Sequence, residues 1–367
     1  MQTDMHYYGT YAIARMAGFT PKDAQTIAYS AQFVDDSTKS DSDEHADGGL
    51  IYGIATAHSN GQVAKNRLVD QIEQKRVWTP FHFIPGGKGT TLEQKLVCQK
   101  DSLIAQEMFN NHIHFAKNSN FGLHLIGIAS HVYADTFSHY GFSGISTDNN
   151  SVDPNSITLI DVKDKGMEAY LMNKYNAFLK KYAPDIIIKC WRWIANKAAE
   201  QFSGALGHGG VGTYPDRPFL HWQFTYNNSK QLSDRNNRET FLEGSEKLYN
   251  KLVEFGQAYT PEHKANTPFD NVKATIADIL NTEAPMAERI EKWCNAVNNS
   301  ELFEKAETEY LSYDHKIWEQ QKTIEFHTLA SSTEATKLDV YKFHQAAIYH
   351  RYYVLKDLLP QHGIVVY

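Results

Sequence analysis

Apolar residues recur at three- and four-residue intervals along most of the chain, the spacing that places them on one face of an α-helix. Tyr8, Ala12 and Met16 mark a first helix over 4–17, with Gly18 as its stop. Thr20 and Pro21 open a second, threonine as N-cap and proline in the first turn. It runs through Ala24, Ile27, Ala28 and Ala31 to Val34 and closes at Asp35 and Asp36. The Ser/Asp-rich stretch from Ser37 to Gly49 reads as a solvated, mobile loop. A shorter helical pattern covers 62–76, but Trp78 to Gly87 is predicted non-helical because its prolines and glycines break the backbone ladder. Further helices are predicted over 91–117, 123–139, 165–181 and 184–205. A Gly/Pro-rich loop follows from Gly207 to Pro218. Helices are then expected near 234–257, 268–281, 285–298, 302–326 and 336–358. No internal repeat and no run of alternating strands is visible, so the predicted fold is a mainly α multi-helix bundle. Residues 1–230 should form one helical domain that carries the chemistry, with 231–367 as a C-terminal helical region packed on it.

The segment Leu123 to His139 departs from ordinary amphipathicity. With His131 at zero, Asp135 falls at about 40°, His139 at about 80° and His124 at about 20° around a 3.6-residue helix. Three imidazoles and a carboxylate thus share one face, while Leu125, Ile128, Val132 and Phe137 hold the segment inside the protein. Burying such groups is costly unless they are paired or ligate a cation. His131-x-x-x-Asp135-x-x-x-His139 on an apolar background therefore predicts metal ligation.

Composition changes the picture modestly. The 367 residues carry 36 Lys plus Arg against 43 Asp plus Glu, a net charge of −7, which argues against a dedicated nucleic-acid binder. Apolar residues make up 42%, enough for a full core. Cys98, Cys190 and Cys294 are scattered and read as buried structural thiols rather than a disulfide framework or thiolate zinc site. Met1-Gln2-Thr3-Asp4 lacks the regions of a secretory signal, and no run of 18 apolar residues occurs. The expectation is a cytoplasmic protein without a transmembrane segment, or one exported by a signal-independent route.

Other histidines and carboxylates fall at element ends and in constrained loops, as ligands supplied from scattered elements should. His6 starts the first helix, Asp35 and Asp36 end the second, His82 lies in the Pro/Gly-bounded segment, and His208 and Asp216 lie in the Gly-rich loop. His112 and His114 read as surface groups or groups outside the ligand set. Trp78, Phe81, Tyr133, Tyr140, Tyr214 and Trp222 flank these segments and could wall a cleft or simply pack. Several other chemistries are disfavoured. There is no Gly-x-Ser-x-Gly elbow, no P-loop Lys-Ser/Thr, no His-Asp dipeptide and no His-Glu-x-x-His, and the acidic loop 41–47 does not follow the calcium-loop pattern.

His131-x-x-x-Asp135 and His139, with upstream His6, Asp35 and His82-Phe83, resemble the zinc-dependent phospholipase C and P1 nuclease superfamily. The resemblance covers about residues 1–225. It implies an all-helical fold with three zinc ions in a cleft, ligated by His6, Asp35, His82, His131, Asp135 and His139. The family's last ligand pair has a His-x-x-x-Glu/Asp spacing. Here His208 with Asp216, eight apart, is the best match, and His221 is a rival. The family also uses the amine of a mature N-terminal Trp, where this sequence has Met1, and a longer step between the helix carboxylate and the next His. The same segments also resemble an uncharacterised bacterial family known only by sequence, which implies no mechanism.

The resemblance implies two or three Zn²⁺ ions and a small-molecule or lipid phosphate-ester substrate, such as a phospholipid or other phosphodiester. Zinc lowers the pKa of its water to about 7, and paired ions ~3.5–4 Å apart can stabilise attacking and leaving oxygens. Asp135, one turn from His131 and one from His139, could bridge two ions, and Asp35 could orient or deprotonate the water. No stable nucleic-acid complex is expected. Imidazole and carboxylate also suit iron or manganese, so a di-iron or di-manganese phosphohydrolase is one alternative. A non-catalytic, zinc-stabilised helical interaction protein is another.

Overall fold

A computed structural model describes residues 1–58, 71–182, 207–304 and 312–366. The chain starts with a wide helical turn, Asp4–Gly9, with π spacing, that continues as α1 (Thr10–Met16). Gly18 ends it at φ 104°, a backbone conformation that side-chain-bearing residues rarely adopt. The second helix, α2 (Pro21–Asp36), begins as its sequence predicts, the Thr20 hydroxyl accepting from the Asp23 N–H at 3.2 Å. The predicted helix over 91–117 is two elements. Leu92–Lys95 is opened by a Thr91/Gln94 capping box, and α3 (Leu103–Ala116) restarts after Ser102. Between them Val97 and Cys98 bridge to Ser143 and Pro85, so their backbone groups pair across the chain rather than along a helix. The expected non-helical stretch from Trp78 is also corrected. The turns Gln71–Glu73, Gln74–Trp78 and Thr79–Phe81 form one helical run that ends only at His82. A proline removes one backbone donor, and this run widens to π spacing just before Pro80.

At the centre lies α4 (Gly122–His139), every residue buried except Leu123. It packs against α2 and α3, and against two helices from the far end of the chain, α6 (Asn237–Tyr259) and α10 (Asp339–Tyr352). Gly127 sets its closest approach to α2. A Cβ there would fall within 3.0 Å of the Ile27 carbonyl oxygen and of Ser30 Cβ. Helix α5 (Lys165–Tyr182) follows prediction, while the helix expected over 184–205, with Cys190, lies outside the described residues. Helices α7 (Phe269–Leu280) and α8 (Met286–Asn298) form close to their predicted bounds. In the described part of 302–326 the helix is α9 (Lys316–Gln320), which continues with π spacing over Gln321–Glu325.

Two small antiparallel sheets were not predicted. β1 (Ser42–Glu44) pairs with β2 (Leu50–Tyr52), and β3 (Val152–Leu159), β4 (His221–Tyr226) and β5 (Leu232–Asn236) form a second sheet in that order. The β1–β2 segment is largely solvent-exposed over 41–47, as expected, but it forms a hairpin anchored to the body. Ile51 and His45 are buried, and the Asp47 carboxylate accepts from the Ser332 backbone N–H at 2.9 Å. One core joins α1 to α4 with helices from α6 to α10, and a smaller one gathers Phe83, Cys98, Phe142, Trp222 and Phe224 under the second sheet. Residues before and after 230 therefore share a single packed interior, and β4–β5 crosses that boundary. Among the described residues no helix is long and apolar enough to cross a membrane.

Candidate metal centre

Four histidines are oriented in the same way. His131 Nδ1 donates to the Ala31 carbonyl at 2.8 Å, His82 Nε2 to Thr56 at 2.9 Å, His139 Nδ1 to His82 at 2.8 Å and His208 Nδ1 to Gly212 at 2.7 Å. A carbonyl can only accept, so the nitrogen facing it must carry the proton. In a neutral ring the other nitrogen then offers a lone pair. Backbone carbonyls that fix the tautomer in this way are the usual support of metal-ligating histidines.

The four lone pairs converge on carboxylates. His131 Nε2 lies 3.2 Å from His82 Nδ1 and 3.2 Å from Asp135 Oδ2, and His82 Nδ1 lies 3.5 Å from that oxygen. Asp35 Oδ1 completes the group at 3.8 Å from His82 Nδ1 and 4.0 Å from His131 Nε2. Zinc–nitrogen bonds of 2.0–2.1 Å place the corners of a tetrahedron about 3.3 Å apart, close to these separations. A second group joins His139 Nε2, 3.1 Å from Asp216 Oδ1, with His208 Nε2 at 3.7 Å. At a third place His6 Nε2 is 3.1 Å from Asp135 Oδ1, and the amine of Met1 donates to the same oxygen at 2.6 Å. Met1 also lies 3.4 Å from Asp216, so Asp135 and the amine tie the groups together.

Asp35, Asp135 and Asp216 bring three carboxylates together with one cation among them, the Met1 ammonium, while buried Arg217 and Arg235 lie within electrostatic reach of Asp216. Burial would push Asp135 up, but His139, Met1, His131 and His6 together hold it well below the usual carboxylate range. Asp216 is likewise held low, burial being outweighed by His208, Met1 and His139. Burial alone would lower the Met1 amine, yet Asp135, Asp216 and Asp35 push it up to about 11. Burial drives the His6 and His139 rings down, toward the neutral form that ligates. Asp35 is held above its ordinary value by burial against the pull of His131 and His82, although a third of its side chain still meets solvent. Both nitrogens of His6 and Asp135 Oδ2 lack a hydrogen-bond partner. Imidazole lone pairs turned toward clustered carboxylates are the conditions that divalent cations satisfy.

The structure thus brings together His6, Asp35, His82, His131, Asp135, His139, His208 and Asp216, eight of the nine residues predicted as ligands. Asp36 is corrected. Its carboxylate accepts from Tyr313 at 2.5 Å and Gln32 at 3.2 Å and joins none of the donor groups, because the next residue on a helix turns about 100° away. His124 shares an azimuth with His131 but lies two turns up the axis, where it pairs with Asp339 at 3.1 Å. His221, the rival to His208, pairs instead with Asp234 across the sheet. Of the flanking aromatics, Phe81, Tyr133, Tyr214 and Trp222 are buried in the cores rather than walling a cleft, and Trp78 is the one beside His82, ring centres 5.0 Å apart. His112 is buried too, bonded to His350 at 2.8 Å. The Met1 amine, at the place where the resembled family has a terminal Trp amine, was not predicted to join the cluster and lies against Asp135.

No curated protein and no solved structure matches the chain. A family model matches residues 1–358, which include all eight clustered residues. The chain belongs to a family of unknown function, DUF6765.

Proposed function

We propose that this cluster holds two or three zinc ions and that the protein hydrolyses a phosphate ester, on a helical scaffold similar to the zinc-dependent phospholipase C and P1 nuclease superfamily. The observation that supports the reading is the convergence of four tautomer-fixed imidazoles on three carboxylates at donor separations of 3.1–4.0 Å. Asp35, His82, His131 and Asp135 would hold one ion. His139, His208 and Asp216 would hold another, and His6, facing the second oxygen of Asp135 and within reach of Asp35 and His131, would serve a third. Bound zinc would supply a water of lowered pKa and positive charge for the phosphoryl oxygens. Asp35 is the ligand most open to solvent and is placed to orient that water and accept its proton. Asp135, with both oxygens inside the cluster, would keep the ions in register. A purely structural zinc would be enclosed on all sides, whereas the accessible edge at Asp35 suits a reacting molecule.

The test is metal analysis of protein purified without chelator, together with turnover of a chromogenic phosphodiester and of a phospholipid. The expected result is two or more zinc ions per chain, with turnover lost on chelation and restored by zinc. Asp135→Ala should lose both metal and turnover. A metal-free wild-type protein, or a fully active and metal-replete Asp135→Ala variant, would overturn the proposal. Iron or manganese in place of zinc would reassign the ion while keeping the site.

A further inference from the structure

His6 differs from the other ring ligands. His82, His131, His139 and His208 each have one nitrogen tied to a backbone carbonyl, but neither nitrogen of His6 has a hydrogen-bond partner. Its ring is fully buried, stacks on His131 with centroids 3.8 Å apart and faces Asp135 Oδ1 at 3.1 Å, but no backbone carbonyl anchors it. The backbone that carries it therefore has a larger share in setting its position.

That backbone is gripped from the far end of the chain. Arg289, on α8, donates from Nε to Asp4 Oδ2 at 2.6 Å, from Nη2 to Gln2 Oε1 at 2.5 Å and from Nη1 to the Ala284 carbonyl at 2.8 Å. Asp4 shares the π-spaced turn with His6, and Gln2 lies between that turn and Met1. Both partners of the ion pair are buried, with 1% and 2% of their side chains exposed. Trp293 of the same helix lies against Gly9 at the end of the turn. A buried ion pair is a poor device for stability, because desolvation consumes most of the attraction, but a three-point guanidinium grip is a good device for fixing position.

We infer that Arg289 is a positioning residue for the His6 metal site: by clamping Asp4 and Gln2 it holds the turn that delivers His6 to Asp135. This deepens the metal reading above and rests on it. Arg289 donates to none of the clustered groups, and the residues it grips flank His6, so its largest effect falls on the ion that His6 ligates. The ions held by His82 with His131 and by His139 with His208 keep their own carbonyl anchors.

The test counts zinc in the full chain and titrates it against a chromogenic chelator for wild type, Arg289→Gln, Arg289→Lys and Asp4→Asn. His6→Ala serves as the direct loss of the ligand. Arg289→Gln and Asp4→Asn should mirror His6→Ala, weakening one ion 10- to 100-fold while the others bind as in wild type. Arg289→Lys keeps the charge without the fork and should recover part of that loss. A fold defect alone would not remove one ion selectively, and Asp4→Asn carries the test should Arg289→Gln fail to fold. A folded Arg289→Gln or Asp4→Asn variant with the full wild-type complement and affinity overturns this inference alone. A wild-type chain that binds no metal overturns the reading beneath it.

Discussion

Gly127→Ala tests whether the α2–α4 contact sets both the stability of the fold and the shape of the cluster. Two effects of opposite sign compete. Replacing glycine by alanine within a helix normally stabilises it by about 1 kcal/mol. Here the new Cβ would meet Ile27 O and Ser30 Cβ well inside 3.0 Å, where ordinary contact begins at 3.4 Å, so the helices must part by about 1 Å. One of those obstacles is backbone and cannot rotate aside. Overpacking of this kind costs about 1–3 kcal/mol, and a rigid obstacle places it near the upper end. The net expectation is a loss of about 2 kcal/mol. With an unfolding entropy of ~2.1 cal/mol/K per residue over 367 residues, that is a fall in Tm of about 3 °C. The same separation lengthens the His131–Ala31 bond, now 2.8 Å, and moves Asp35 off His131, so metal affinity should fall together with stability. Calorimetry and a chelator titration read the two effects. An alanine variant as stable as wild type or more so, with unchanged affinity, would refute the reasoning.

Two further outcomes follow from single contacts. Asp36→Asn should keep its full metal content and lose about 1 kcal/mol of stability, because Tyr313 and Gln32 still find an acceptor, whereas Asp35→Asn should lose metal. Equal metal loss in the two variants would remove the distinction drawn between neighbouring carboxylates. Acid should destabilise the fold through two buried histidines that are not among the clustered donors. His344 is pushed down to about 3 by burial and then by Lys322, and His350 to about 4 by burial, with His131 adding to it. Unfolded histidine titrates near 6.5, so the unfolded chain takes up protons first as pH falls. The stability these neutral rings permit is complete above about pH 6.5 and drains away toward pH 4. At about 1.4 kcal/mol per ring per pH unit, the pair costs about 4 kcal/mol by pH 5. His344→Gln, whose amide can still accept the Ile54 N–H, should show about half of that part of the loss in urea unfolding at pH 7 and 5. A drop as large as that of wild type would contradict it.

The helices that sequence periodicity identified best are those with a clear start signal and one buried stripe. α2, with Thr20 and Pro21, and α7 and α8 form within a residue or two of their predicted bounds. The failures share a cause, which is pairing between distant parts of the chain. Nothing local announces that Cys98 will pair with Phe142 and Pro85, yet those bonds break the 91–117 helix. Two local cues to that break existed, the Thr91-x-x-Gln94 box and the Ser102 cap, each a helix start inside what looked like one helix. The second sheet likewise had a cue in His221 to Tyr226, where buried Trp222 and Phe224 alternate with more exposed residues.

The cluster was legible where one helix supplies its geometry and opaque where the fold does. His131, Asp135 and His139 share a face by helical arithmetic alone, and the structure keeps them together. His124 shares that face but lies about 10 Å up the axis from His131, and it meets the cost of burial by pairing with Asp339. Asp35 and Asp36 adjoin at the end of α2, but the period of Ala24, Ile27, Ala28 and Ala31 already puts Asp35 on the apolar face and Asp36 about 100° off it, where it meets Tyr313. His208 and Asp216 meet across a glycine turn that no helical period describes, with His208 fixed by the Gly212 carbonyl. Sequence spacing therefore names ligands within an element. The choice among ligands from different elements is made by the carbonyls that orient each ring and by the close contacts, Gly127 and Arg289, that bring those elements together.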